Sequence, residues 1–413
     1  MEMNPNYDRI KKDIEEFRKY TSTPDRGCTR FPYTKEDFDA RNYIVNEMKK
    51  IGLNIYIDAI GNIRGRLDGK DANAPVVMTG SHLDTVFQGG IFDGIAGVVC
   101  GLEAMRIFVE NNIETNNPVE LVVFVGEEGC DFDSPYIGSK VMTGRLGIED
   151  LKNIKNKDGN SVYDAAVDFG LNPEELSKDI IFSTDIKAMI ELHVEQSLVL
   201  DYENIPIGIV KGIAGLKRLE IQLEGVANHS GATPMHLRQD PMVTAAEIIC
   251  FVNNIVQQEG STSTVGTVGR IECIPNLVNA IAGKVTFTID IRDIDEDVIE
   301  RVTKLIIKKI KEVSKLHNVK SEIHNIGSGT PMKLSNSIIK TIEQVAISKN
   351  IKTKLMNSGA GHDACMFKDV TDVGMIFVPS VNGRSHVSEE FTRYEDLQLG
   401  CEVLFETMVK LAK

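Results

Sequence analysis

Short apolar runs recur along the chain at residues 75–79, 119–125, 188–194 and 374–378, and a Gly-containing turn and then a helical pattern follow several of them. This rhythm predicts a mostly parallel α/β sheet. Between the first two runs, residues 94–110 place Val98, Leu102, Met105 and Val109 on one helical face, completing a βαβ unit. The middle of the chain changes character. Residues 216–327 read as a strand (219–225), a helix (240–257), two strands (263–272 and 282–292), a helix (295–316) and a last strand (320–326). That β-α-β-β-α-β order matches the ferredoxin-like split βαβ module. The expected organisation is a larger α/β catalytic domain, residues 1–214 and 329–413, interrupted by a small α+β domain at 215–328.

Polar residues cluster just after the apolar runs, where open α/β sheets place their sites. Ser81-His82-Leu83-Asp84-Thr85 and Gly89-Gly90-Ile91-Phe92-Asp93-Gly94 follow the first, and Gly126-Glu127-Glu128-Gly129 follows the second. The third run ends in Glu191-Leu192-His193-Val194-Glu195-Gln196, and Ser385-His386-Val387 follows the fourth. Any one histidine here, taken alone, reads as a hydrogen-bonded structural residue, and a Glu-Glu pair as a solvated turn. The convergence of all of them on the strand ends of one sheet changes that reading. Asp93, Glu128, His82, His193 and His386 form a mixed N/O donor set suited to Zn²⁺ or a similar divalent ion. One carboxylate, best assigned to Asp93, could bridge two ions about 3.5–4 Å apart. Asp84, two residues beyond His82, suits a supporting role that fixes the His82 tautomer. Glu127 can point away from its neighbour into the cleft as general base, taking a proton from water and passing it to the leaving nitrogen.

Charge and composition narrow the partners. With 46 Lys+Arg against 60 Asp+Glu among 413 residues, the formal charge is −14, which argues against nucleic acid and anionic membranes. The N-terminus lacks the basic-then-apolar layout of a signal peptide, and no apolar run reaches the ~18 residues of a membrane span. A cytoplasmic location is expected. The seven cysteines are scattered without CxxC pairing and read as reduced thiols.

His82-x-Asp84, the Gly-rich stretch to Asp93-Gly94, Glu127-Glu128-Gly129, His193-x-Glu195-Gln196, the segment from Asn228-His229 to Pro234-Met235, Gly359-Ala360-Gly361-His362-Asp363-Ala364 and Ser385-His386 together resemble one family. It is the amidase/hydantoinase/carbamoylase branch of the M20 metallopeptidase superfamily, which includes N-carbamoyl-L-amino acid hydrolases, β-ureidopropionases and allantoate amidohydrolases. The resemblance runs from about Thr29-Arg30 to the C-terminus. It implies a zinc-exopeptidase-like catalytic domain with an inserted ferredoxin-like lid that also makes a homodimer contact. It further implies two divalent ions per subunit, Zn²⁺ first, with Mn²⁺, Co²⁺ or Ni²⁺ as alternatives. His82 and His193 would hold one ion, Glu128 and His386 the other, and Asp93 both, with Glu127 as the base. His229 would stabilise the oxyanion, Arg292 would grip the substrate carboxylate, and Asn279, Gln196, Gly361 and His362 would line the pocket. Read without the resemblance, Arg292 could equally be a lid salt-bridge partner, Asn279 a turn cap, and His362 a residue tolerating an unusual backbone angle after glycines.

The implied reaction is hydrolysis of the carbamoyl C–N bond of an N-carbamoyl-L-amino acid or related ureido acid, giving amino acid, ammonia and carbon dioxide. Allantoate hydrolysis is the near alternative, and acyl-amino-acid deacylation or dipeptide cleavage a more distant one. A catalytically silent metal-binding protein is the reading from another class, disfavoured by the intact Glu127. Two positions depart from the usual family pattern: Cys130-Asp131 follows Glu127-Glu128-Gly129, and Ser197 follows Gln196.

Overall fold

The computed structural model describes residues 4–413, which form two compact units. The first runs to Lys211 and takes up Leu334–Met356 and His362–Lys413, while the second comprises Gly212–Lys333 with Asn357–Gly361. Against the expected 215–328, the second unit therefore also recruits a short segment from late in the chain. The reason is visible within the unit: the Gly359 carbonyl accepts a hydrogen bond from Arg292 Nη1 (2.7 Å), and Asn357 Nδ2 donates to Ser263 Oγ (2.9 Å).

The first unit is built on a mixed sheet whose strands lie in the order Asn54–Ile57, Ile63–Leu67, Val119–Phe124, Val76–His82, Ile186–Val194, Asp372–Val378 and Ile207–Ile213. The four strands in the middle of this order are mutually parallel, and the flanking pairs are antiparallel. Central parallel strands are covered on both faces, which is why Val76–His82 and Val119–Phe124 are buried at every residue. The helix Ile95–Glu110 is apolar on nearly all sides and buried from Ile95 to Phe108, rather than on the single face the sequence suggested. It packs on the sheet and against the C-terminal helix Tyr394–Ala412, where the Phe108 and Phe405 rings meet edge-on at 5.2 Å. No helix among the described residues is long and apolar enough to cross a membrane. The cysteines are all unpaired.

The second unit has an antiparallel sheet with the order Ile271–Ile274, Lys284–Asp293, Gly215–Glu224, Lys320–Gly329. This is the ferredoxin-like arrangement, with one difference from the sequence reading. The strand expected at 263–272 divides into Val265–Thr267 and Ile271–Ile274, both paired with Lys284–Asp293 and separated by a stretch containing Gly269. Along Lys284–Asp293 burial alternates residue by residue. Val285, Phe287, Ile289 and Ile291 face the helices Pro241–Glu259 and Glu296–Leu316, meeting Ile248, Val252, Val302, Ile306 and Ile310. Each such fully buried side chain stabilises the unit by ~1.5–3 kcal/mol relative to exposure. The same alternation turns Asp290 and Arg292 to the opposite face of the sheet.

Candidate metal centre and active site

The parallel strands of the first unit end together, and their ends carry the polar residues. His82 closes Val76–His82 in register with Phe124, so the Gly126-Glu127-Glu128 turn begins beside it. His193, near the end of Ile186–Val194, pairs with Phe377 on the strand that leads to Ser385-His386. Asp93 stands one residue before Gly94, the residue that caps Ile95–Glu110. Gly94 has φ +67°, and a Cβ there would lie 2.5 Å from the His82 ring, so both the backbone turn and the approach of the imidazole require glycine.

Asp93 sits at the centre of this group and is nearly fully buried. Its Oδ1 lies 3.1 Å from His193 Nε2 and 3.8 Å from His82 Nε2, while Oδ2 lies 3.2 Å from His386 Nε2. Glu128 Oε2 is 3.6 Å from that same His386 nitrogen. Among the described residues four trios have donor atoms within 4.8 Å of one another, and the two that contain Asp93 are His82–Asp93–His193 and Asp93–Glu128–His386. Asp93 belongs to both and offers each trio a different oxygen. The histidines are oriented for this role. His82 Nδ1 lies 2.9 Å from the Asp84 carbonyl oxygen and His193 Nδ1 lies 2.9 Å from that of Val194, so each Nδ1 holds the proton of the neutral ring. Nε2 of each ring is then the nitrogen turned into the cluster, able to give its lone pair to a cation once it carries no proton.

Asp84 meets His82 through its backbone carbonyl, and its carboxylate oxygen Oδ1 stands farther off, 3.6 Å from His82 Nδ1. That carboxylate accepts from the Glu127 N–H at Oδ1 and the Glu128 N–H at Oδ2, both at 3.0 Å. Asp84 therefore shapes the turn that presents the two glutamates. Glu127 Oε2 comes within 3.6 Å of His82 Nε2.

Protein groups alone leave this cluster too negative. Burial, then Glu128 and Asp363, push the Glu127 carboxyl well above the ordinary glutamate range, and burial and Asp93 do the same to Glu128. Burial works against charge on Asp93 as well, but His193 and His386 outweigh it and hold Asp93 well below its usual range. For His193, burial opposes protonation, yet Asp93 lifts the imidazole to about 9. Glu128 Oε1 is buried with no hydrogen-bond partner. Crowded carboxylates, imidazoles with Nε2 turned inward and an orphaned carboxylate oxygen fit a divalent cation.

Gln196, at φ +57°, donates from Nε2 to Asp93 Oδ2 at 2.7 Å. His362 is buried with its ring 4.5 Å from that of His193, and burial followed by the His193 charge pushes its pKa well down. In the second unit, His229 and Asn279 are adjacent: Ala280 pairs with His229, and the Ser230 N–H donates to the Asn279 carbonyl at 3.0 Å. His229 Nδ1 accepts from the Gly231 and Ala232 N–H groups, which places the proton of the neutral ring on Nε2 as an exposed donor. Arg292 is already engaged within its own unit. Nε and Nη2 hold Asp290 at 3.0 and 3.2 Å, and Nη1 holds the Gly359 carbonyl. Of its five N–H groups, one on each terminal nitrogen remains, enough for one further carboxylate. Gly361 lies two residues beyond Gly359 in the same segment.

Two residues to which the sequence assigned no role also belong to this centre. Glu191 accepts from Ser81 Oγ (2.8 Å) and the Ala364 N–H (2.9 Å), tying the strand ends to the turn after His362. A carboxylate in the middle of an apolar central strand is the signal that would have found it. Glu390 accepts backbone N–H groups beside Asp93. Of the two departures from the family pattern, Cys130 reaches the surface, but its sulfur is partly desolvated, and that together with the Glu128 charge pushes the thiol up to about 11.

The fold and this carboxylate–imidazole centre define a metallohydrolase class, and residues 78–410 match peptidase family M20/M25/M40. The chain belongs to that family, in its hydantoinase/carbamoylase branch. It is 39% identical over 404 residues to an N-carbamoyl-L-amino-acid amidohydrolase of Paenarthrobacter aurescens, covering 98% of each chain. It is 34% identical over 399 residues to an allantoate amidohydrolase of Bacillus subtilis strain 168, covering 97% of this chain and 96% of that one. A crystal structure of an amidase of the hydantoinase/carbamoylase family from Burkholderia multivorans matches with a TM-score of 0.94 at 30% identity, covering 100% of this chain and 99% of that one.

Proposed function

We propose that the protein is a metal-dependent amidohydrolase that cleaves the carbamoyl C–N bond of an N-carbamoyl-L-amino acid. One water is consumed, and the amino acid, ammonia and carbon dioxide are released. The observation that carries this reading is the two-sided placement of Asp93, with Oδ1 toward His193 and His82 and Oδ2 toward His386, beside the buried Glu127. His82 and His193 would hold one divalent ion, Glu128 and His386 a second, and Asp93 would serve both; the mixed N/O donors suit Zn²⁺. Such ions, when bound, polarise a carbonyl and make water more acidic. Glu127 takes the proton from the attacking water and returns it to the leaving nitrogen. The burial that raises its pKa keeps it basic enough to carry that proton between the two steps. His229, a donor at Nε2, stabilises charge developing on the ureido oxygen. Arg292, with its two remaining N–H groups, takes the substrate carboxylate, and Asn279, Gln196, Gly361 and His362 complete the substrate contacts. The working form is a cytoplasmic homodimer paired through the second unit.

The test is ammonia release from N-carbamoyl amino acids, β-ureidopropionate and allantoate by chelator-stripped protein, with Zn²⁺, Mn²⁺, Co²⁺ or Ni²⁺ returned singly. The expected result is metal-dependent ammonia from an N-carbamoyl-L-amino acid. Greater specificity for allantoate would replace the substrate, and no ammonia under any condition would overturn the reading.

A further inference from the structure

Asp93 and His386 are separated by almost 300 residues, and both stand on loops. His386 is also a non-glycine residue at φ +60°, a conformation that persists only where its surroundings over-determine it. Gln196 Nε2 touches both ligand side chains, at 2.7 Å from Asp93 Oδ2 and 3.2 Å from His386 Nε2, and a second side chain ties the two loops together behind them. The Glu390 carboxylate, 4% exposed, accepts at Oε1 from the N–H groups of Phe92 (2.9 Å) and Asp93 (3.0 Å), and at Oε2 from Ser385 Oγ (2.7 Å). The same Ser385 hydroxyl stands 3.1 Å from Asp93 Oδ2, so its single proton is shared between two carboxylates. The Asp93 loop is fitted to this arrangement. A Cβ on Gly90 would fall 2.1 Å from Glu390 Oε1, so even a methyl group there would expel the carboxylate.

We propose that Glu390 is a positioning residue of the metal centre, bracing the Asp93 loop through two backbone amides and the His386 loop through Ser385 so that both ligands are presented together. The inference rests on the metal-centre reading above. Glu390 is not a ligand in this scheme, since both of its oxygens are occupied by protein donors. Its effect passes through where Asp93 and His386 stand. Removing it leaves two buried N–H groups without an acceptor and frees the Ser385 hydroxyl, and both ligand loops lose their common anchor.

The test uses the full-length protein and Co²⁺ alone as probe, with affinity read by chelator competition and ligand geometry by the visible absorption spectrum. Glu390→Ala is expected to weaken Co²⁺ binding by roughly 10- to 100-fold, the usual cost of losing support behind a ligand, and to change the spectrum. Glu390→Gln, which keeps an oxygen for the two amides, is expected to lose less. Glu103→Ala is the control: Glu103 is equally buried in the same unit and accepts from the Asn6 N–H and Arg9, but it touches neither ligand loop. That variant is expected to lower the melting temperature and leave Co²⁺ affinity and spectrum unchanged. Affinity for Glu390→Ala within about twofold of wild type, or an equal loss in Glu103→Ala, overturns the proposal. Should Glu390→Ala fail to fold, unchanged affinity and spectrum in both Glu390→Gln and Ser385→Ala overturn it instead. Failure of the wild-type protein to bind Co²⁺ would strike the metal-centre reading itself, which keeps the two failures distinct.

Discussion

Replacing Asp84 by Asn tests the turn that presents Glu127 and Glu128. The Asp84 side chain, 3% exposed, gives one oxygen to each of the two backbone N–H groups at 3.0 Å. An asparagine of the same shape has one acceptor, so one N–H loses a charge-assisted bond and faces an amide NH₂ in a buried space. The lost bond and the unsatisfied donor together cost about 2–4 kcal/mol locally. Global stability would understate this, because the Asp84 charge also contributes to the repulsion on Glu127 and Glu128, and its removal offsets part of the loss. The suitable assay is hydrogen–deuterium exchange resolved to single amides. One of the Glu127 and Glu128 amides is expected to exchange roughly 30- to 1,000-fold faster in Asp84→Asn. Turnover is expected to fall by about 10- to 100-fold. The His82 ring, held by the Asp84 backbone carbonyl, should keep its Nδ1 proton, visible as an unchanged ¹⁵N shift pattern. Wild-type protection at both amides would refute the reasoning, and a switched His82 tautomer would show that the Asp84 carboxylate also sets the imidazole.

Glu127→Gln is expected to bind metal as the wild type does while kcat falls by about 10²–10⁴-fold; near-normal turnover would remove Glu127 from the role of base. Gly94→Ala forces a Cβ at φ +67° to within 2.5 Å of the His82 ring. A loss of about 1–3 kcal/mol in denaturant titration, together with weakened metal binding, is expected, and a neutral outcome would show that the His82 approach can relax. For Asp290, burial opposes ionisation, but hydrogen bonds from Arg292 and then Arg218 pull the carboxyl below its usual range. A folded-state pKa below the unfolded value of about 3.9 stabilises the fold above that pH and loses the contribution as pH falls through the folded value. Asp290→Asn should therefore melt below the wild type at neutral pH, with the gap closing in acid; a gap that stays constant with pH would contradict the pairing.

The residues that gather in this candidate site are legible in the chain because they follow apolar runs. His82, Glu127, Glu128, His193 and His386 stand at or just beyond strands that hydrophobicity alone marks, and parallel register then brings the strand ends together. The order of the second unit was legible for a similar reason: strict alternation in 284–293 and helical spacing in 295–316 leave few other readings. What escaped was support supplied to backbone rather than to side chains. Glu390 acts on the amides of Phe92 and Asp93, almost 300 residues away, and no residue type in those loops advertises that its N–H needs an acceptor. Asp84 is legible as a support for His82, but nothing in the local sequence shows that its backbone carbonyl serves the imidazole while its carboxylate serves the two buried amides of Glu127 and Glu128. The recruitment of residues 357–361 into the second unit depends on contacts with Arg292 and Ser263 that no local pattern encodes.

The crowding of Asp84, Asp93, Glu127 and Glu128 also bears on how much of the protein a cell would hold. Until ions neutralise it, that repulsion is carried by the folded chain and absent from the unfolded one. Loading and folding are then one equilibrium, and free ion at about 1,000 times its dissociation constant adds roughly 4.1 kcal/mol to the stability of the native state. Metal starvation would therefore act twice, first idling each molecule and then exposing more of the population to proteolysis. Protein level as well as turnover would follow the metal supply.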